Sequence, residues 1–369
     1  MTATALPDAP APKRQVDNAL TSGQLPRLFE GWALLGALAV SAVVFVLVGF
    51  NVVGWLVVSA LLYLVGVGVL SAVVENRRKA TDRLVRGAVV IAFLLAIAPL
   101  LSTLIDVVAR GYHDAFDPSF VFKTGGTHFD PSTLKVTTVI GAWQSVVGTL
   151  IITGITTVIS VPVGILTAIY LVEYGRPHAW MNRTVTFLVD VMTGIPSIVA
   201  GLFAFALFTL ILGPKAFSGL AAAIALCVLM IPIVVRSSEE MLKLVPLELR
   251  EASYALGTTK FVTITRIVLP TAISGLITGV MIAIARVIGE TAPIFIAASF
   301  TNNFNANPLA NAMSTLPVQA YTAYKFPSTD IQGSYDSAWG AALLLVILVV
   351  ILNLIARIIA RVFAPKGLR

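Results

Sequence analysis

Charge is scarce in this chain. Asp, Glu, Lys and Arg make up 12% of its 369 residues and hydrophobic residues 57%, where an ordinary soluble domain carries roughly a quarter charged residues. Too few polar side chains remain to cover a globular surface, which excludes a soluble domain and indicates an integral membrane protein. Cysteine occurs once, at Cys227 inside an apolar run. That excludes an internal disulfide and gives no sign of a thiol metal site or redox chemistry. The three histidines, His113, His128 and His178, are scattered on predicted loops, so catalysis by the chain itself finds no support. No Gly-x4-Gly-Lys-Ser/Thr segment is present, which excludes a P-loop ATPase within the chain. No period of about 20 to 50 residues repeats, which excludes a solenoid. A net charge of +7 could suit nucleic acid. The basic residues gather instead at the ends of apolar segments, as topology charges do, so no nucleic-acid partner is expected.

What is present is a series of apolar runs. A bilayer core needs about 20 apolar residues in a helix, and candidate spans are 32–50, 53–74, 85–108, 140–172, 184–213, 219–242, 269–299 and 338–362. The fold class is therefore all-α, a polytopic helix bundle. The loop at 75–86 carries Arg77, Arg78, Lys79, Arg83 and Arg86 and is placed in the cytoplasm by the positive-inside rule. Counting from it puts both termini, 173–183 and 243–268 inside, and 109–139, 214–218 and 300–337 outside. Residues 1–30, Ala/Pro-rich and without a signal-peptide pattern, read as a disordered cytoplasmic tail.

The inner loop at 243–268 is the most specific segment. Pro246 opens a short helix, and residues 247–256 are strong helix formers. Gly257 supplies a left-handed terminator, and Thr258 or Thr259 caps a second helix running to Leu269-Pro270. The residues read Glu251-Ala252-Ser253, three residues, Gly257, nine residues, Ile267-Val268-Leu269-Pro270. By this spacing the loop resembles the signature through which permease subunits of bacterial ATP-binding-cassette (ABC) importers touch their ATPases, with Ser253 where Ala is usual. The resemblance implies that the helix at 246–257 couples to an ATPase, with Glu251, Ala252 and Gly257 fixing its cap and turn. The alternative reading is an ordinary amphipathic interfacial helix.

Arg286 lies about 24 Å up the seventh span from Pro270 at ~1.5 Å per residue, so it is expected to face the bundle interior rather than lipid. Glu290, one turn on, can pair with it. Either the two neutralise each other and pin helices, or Arg286 lends positive potential to an anion's path. Gly194-Ile195-Pro196-Ser197 breaks the fifth span, either as a packing kink or to free backbone N–H groups for an anion. Arg236 in the sixth span reads first as a side chain snorkelling to the inner interface. The aromatic stretch at 321–327 suits an outer contact surface or an ordinary interfacial belt.

Tyr170-x-x-Glu173-Tyr174-Gly175-Arg176, Pro196-Ser197, Pro232-x-x-x-Arg236, Lys243-x-x-Pro246 and Arg286-x-x-Gly289-Glu290-Thr291-x-Pro293 occur in this order. Together they resemble the A-type permease of phosphate-specific ABC importers, over roughly residues 85–365, that family's six-span core. The spans of 31–75 form an extra N-terminal hairpin outside it. The resemblance implies a bacterial inner-membrane permease that forms half of a phosphate pathway with Arg286, Glu290, Thr291, Pro196, Ser197 and Arg236. It implies a homologous second permease as heterodimer partner, two ABC ATPase subunits and an extracytoplasmic phosphate-binding protein. The chain would bind no cofactor, ATP and Mg being used by the ATPase, and would be surrounded by lipid. The alternatives are an ABC permease for another oxyanion (sulfate, molybdate or phosphonate) and an ion-coupled secondary transporter using Asp190, Arg286 and Glu290.

Overall fold

Asn51, between the first two apolar runs, accepts from the N–H groups of Val53 and Gly54 and so separates two helices. In the computed structural model, which describes residues 25–26, 28–130, 135–176, 179–213 and 217–363, these are α1 (Phe29–Val48) and α2 (Val52–Val74). The hydroxyls of Ser41 and Ser59 join them at 2.5 Å. Helix α3 (Arg77–Ala115) begins within the basic segment. That segment was expected as a loop, but Arg, Lys and Ala favour helix and Arg86 pairs with Asp82 one turn back at 3.0 Å. Arg83 donates to Glu30 and Glu75 at 3.2 and 3.0 Å. Residues 1–24 of the expected tail lie outside the described residues, while Phe29 and Glu30 already belong to α1.

The chain divides into two compact units after Thr103, inside α3. The second unit continues with α4 (Pro118–Val121) and an antiparallel hairpin of β1 (Gly126–Asp130) and β2 (Lys135–Val139), Gly126 opposite Val139. This hairpin, in a connecting segment, is the one addition to an otherwise helical architecture among the described residues. Then come α5 (Trp143–Ile169) with a π-helical turn at Tyr170–Tyr174, α6 (Trp180–Gly194), α7 (Ser197–Leu212) and α8 (Gly219–Lys243). The remainder is α9 (Leu247–Ala255), α10 (Lys260–Thr263), a π-helical turn at Ile264–Val268, α11 (Leu269–Ile288), α12 (Ala292–Ala298), α13 (Leu316–Lys325) and α14 (Ile331–Phe363).

Seven helices among the described residues are long and apolar enough to cross a membrane, and the bent pair α6–α7 makes an eighth crossing if it is one span. Helix α8 is the centre of this unit. Ala222, Ala223, Leu226, Met230 and Val234 are buried in its core cluster. Small residues let its neighbours come close: a Cβ on Gly164 of α5 would stand 2.6 Å from Val234, and one on Gly279 of α11 2.6 Å from Ser237.

The two ends of the unit agree with the expected alternation of sides. At one end the segment after α5 meets the loop after α8, Arg250 reaching Glu173 at 2.9 Å. At the other end, Trp143 N–H donates to Lys123 O, Leu220 N–H to Pro308 O and Ser218 N–H to Ala297 O. Of the segments expected inside, 173–176 and 243–250 thus share one end of this unit, and Lys123, Ser218 and Pro308, from segments expected outside, lie at the opposite one.

Candidate functional site

Two broken helices make the site. The fifth span, expected as one helix over 184–213, is instead α6 and α7, bent by 104°. Pro196 lacks the N–H that a continuous helix needs and biases Ile195 towards extended backbone, which has ψ 124°. The seventh span, expected over 269–299, starts earlier, with α10, and ends at Ile288. Pro293 cannot donate to Gly289 O, so the helix stops and α12 restarts at Ala292.

The two breaks face each other. A cavity of about 280 Å³ is lined by Met192, Thr193, Pro196 and Ser197 from the first break, Pro232 and Ile233 from α8, and Arg286 and Glu290 from the second. Four of the six expected path residues therefore meet: Pro196, Ser197, Arg286 and Glu290. Thr291 lines a neighbouring cavity of about 340 Å³ with Ile198, Phe295 and Tyr321.

Arg286 is exposed on the surface of this chain, where it borders the cavity. It also forms no ion pair with Glu290 among the described residues. The expected pairing required one continuous helix, and the stop at Ile288 removes Glu290 from the turn above Arg286. Both side chains remain available to the cavity.

Gly194-Ile195-Pro196-Ser197 and Gly201 divide the two readings of that segment. A Cβ on Gly201 would lie 2.7 Å from Pro293 Cα, so Gly201 serves close packing of α7 on α12. Pro196 and Ser197 instead border the cavity.

Arg236 has partners within the chain and need not reach the interface for solvation. Its guanidinium donates to Glu239 at 2.8 Å and to Asp190 on α6. Glu239 is buried, and Lys243 approaches it at 4.0 Å. Asp190 and Arg236 lie two and three residues from the cavity-lining Met192 and Ile233. The Arg236–Glu239 spacing of three was visible in the sequence, whereas Asp190 lies 46 residues away and gave no local signal.

At the opposite end from the β-hairpin, the loop at 246–257 forms the expected helix and turn. Pro246 stands immediately before α9, and Gly257 follows its end with φ 71°. Glu251 and Ala252 are exposed. No hydrogen bond from Glu251 holds the turn among the described residues; Ser253 holds it instead. The buried Ser253 hydroxyl lies 2.6 Å from Thr258 Oγ1 and 2.9 Å from Thr263 Oγ1, and Thr258 Oγ1 donates to Ser253 O at 2.9 Å. The position that departs from the usual signature thus carries the local bonding. Leu244, Leu247, Tyr254 and Leu256 are exposed around it, Leu256 at 84%.

Residues 160–368 match the family model described as binding-protein-dependent transport system inner membrane component. Phosphate transport system permease protein PstA 1 of Mycobacterium tuberculosis (strain CDC 1551 / Oshkosh) is 43% identical over 258 residues, 69% of this chain and 81% of that protein. The PstA protein of Mycobacterium leprae (strain TN) is 42% identical over 262 residues, again 69% of this chain and 81% of the relative. Among solved structures, a bacterial ABC transporter involved in the import of the acidic polysaccharide alginate superposes with a TM-score of 0.51 at 14% identity, covering 76% of this chain and 96% of that one. That last likeness concerns the fold.

Proposed function

The chain belongs to the binding-protein-dependent transport inner membrane components, among the PstA phosphate permeases, and is a multi-pass permease subunit of an ABC phosphate importer; we propose that it forms one half of the anion pathway. The observation that carries this reading is the placement of Arg286. It stands exposed, bordering an open cavity, about 24 Å up its helix from Pro270. Lipid tails are a poor neighbour for a guanidinium, at roughly 2.5–3.5 kcal/mol on insertion scales. A homologous second permease facing this surface would cover it and close the cavity into a conduit. Arg286 then supplies positive potential to a phosphate in transit, and Glu290 keeps the anion from resting too tightly. Pro196, Ser197, Thr291 and Arg236 border the route.

The energy source in this reading lies outside the chain, which is not itself an enzyme. Two ABC ATPases use ATP and Mg, and one receives α9. Exposed Leu247, Tyr254 and Leu256 beside Glu251 form an apolar and acidic surface suited to a protein cleft. An extracytoplasmic phosphate-binding protein delivers the anion at the opposite end, and both termini lie in the cytoplasm of a bacterial cell.

Initial phosphate uptake at low external phosphate tests this, in cells lacking the chain and its functional substitutes. Wild type should restore ATP-dependent uptake, whereas Arg286→Gln should assemble the complex and restore little. Loss of the assembled complex in Arg286→Gln would make the residue structural. Sulfate or molybdate competing as effectively as phosphate would overturn the substrate.

A further inference from the structure

Arg250 stands next to Glu251, yet its side chain is 13% exposed and Glu251 is open. Its Nε and Nη2 donate to Glu173 Oε1 at 3.2 and 2.9 Å. Nη1 donates to Val245 O at 2.6 Å and Nη2 also to Leu242 O at 2.8 Å. One guanidinium on α9 therefore holds the last turn of α8, the second residue after it and the π-helical turn that follows α5. Glu173 is 6% exposed, so parting the pair would leave a buried carboxylate without its cation.

Glu173 lies in the π-helical turn Tyr170–Tyr174, where Gly175 N–H donates to Tyr170 O at 2.6 Å. The second π-helical turn, Ile264–Val268, packs against α9 and α10 at the start of α11. Lys260 adds a further tie, its ammonium 5.1 Å from the Tyr174 ring centre. Of the helices that meet at α9, α5 is thus followed and α11 preceded by a π-helical turn, a form that interrupts the regular ladder and recurs at working sites.

We propose that Arg250 is a positioning residue that carries displacement of α9 to α5 through Glu173. The inference rests on the reading of α9 as the ATPase-coupling helix. A push on α9 would then move α5 and the end of α8 as one body, while the π-helical turns absorb the change in helix direction. The route to α5 is separate from the covalent route through α10 into α11.

The test uses the complete transporter in proteoliposomes, with phosphate uptake and ATP hydrolysis measured together. Glu173→Gln, Arg250→Met and the double variant are compared with wild type. The expected result is normal assembly, continued hydrolysis and a fall in phosphate moved per ATP of roughly ten-fold, as losing a charge-assisted bond predicts. The double variant should be no worse than the worse single one, because the two residues act as a unit. Should a variant fail to assemble, Arg250→Lys keeps the charge, loses the fork and should lower the same ratio. A wild-type ratio in the assembled variants overturns the inference, including when both activities fall in parallel. Glu251→Ala separates the two levels. If it uncouples while Glu173→Gln does not, the strut fails and the coupling helix stands; if it leaves the ratio unchanged, the coupling reading itself fails.

Discussion

Arg236 on α8 is held by two carboxylates of different character: Asp190 on α6, 60% exposed, and Glu239 on its own helix, 7% exposed. The exposed pair is screened and contributes little, about 0.2–1 kcal/mol. Removing the cation leaves the buried Glu239 carboxylate without its partner, the costlier loss. Arg236→Gln should therefore lower the melting temperature of the detergent-solubilised protein far more than Asp190→Asn. The reverse order would show that the contact to α6, not the one within α8, carries the stability of this network.

Arg286 and Glu290 border one cavity without pairing, and this separates two accounts of their charges. A self-neutralising pair would tolerate loss of both charges better than loss of one. Independent charges give additive effects. Uptake by Arg286→Gln/Glu290→Gln should equal the product of the two single effects. Recovery of the double variant towards wild type would establish a pair that forms during transport.

Much of the architecture was legible because its causes are local. Apolar length marked the spans, and Gly257 marked the end of a short helix. The cavity was half legible. Pro196 and Pro293 announce broken helices, but which face a break presents depends on the 104° bend, which the pattern does not encode. Glu290 was placed wrongly relative to Arg286 because counting residues assumes that a helix continues. Arg250 reads locally as a topology charge; its partner lies 77 residues away, and only folding brings Glu173 to it.

Ser253 offers a small and specific stability prediction. Ser253→Ala restores the usual residue of the signature but removes a buried hydroxyl from Thr258 and Thr263, which retain each other at 3.1 Å. The cost should be about 1 kcal/mol, the net worth of an ordinary hydrogen bond, with uptake close to wild type. A large loss of uptake without loss of stability would show that the hydroxyl cluster acts in transport.

In the N-terminal unit, Glu75 gives a pH dependence of known sign. Burial pushes its carboxyl up, but hydrogen bonds from Ser71, the Leu25 N–H and Arg83, with the Arg83 charge, outweigh this and hold it below its ordinary value. A depressed carboxylate stabilises the fold above the unfolded pKa of about 4.3 and loses that contribution as pH falls through the folded value. Amide protection in α1 and α2, relative to the intrinsic exchange rate at each pH, should therefore fall on acidification below that range. Glu75→Gln should lower it at neutral pH and flatten the acid response. An unchanged acid response in Glu75→Gln would assign it to another group.

Gly257 isolates backbone strain from packing. Its φ of 71° lies in the left-handed region, and a Cβ there would meet nothing within 4 Å. Substitution therefore costs conformational energy alone, about 1–2 kcal/mol for an ordinary L-residue and less for Asn. A β-branched residue is strained most there. Thermal stability and phosphate moved per ATP should both fall in the order Asn, Ala, Val. If Gly257→Val keeps its stability yet uncouples, the position touches a partner subunit; if all three match wild type, α9 ends differently in the assembled transporter.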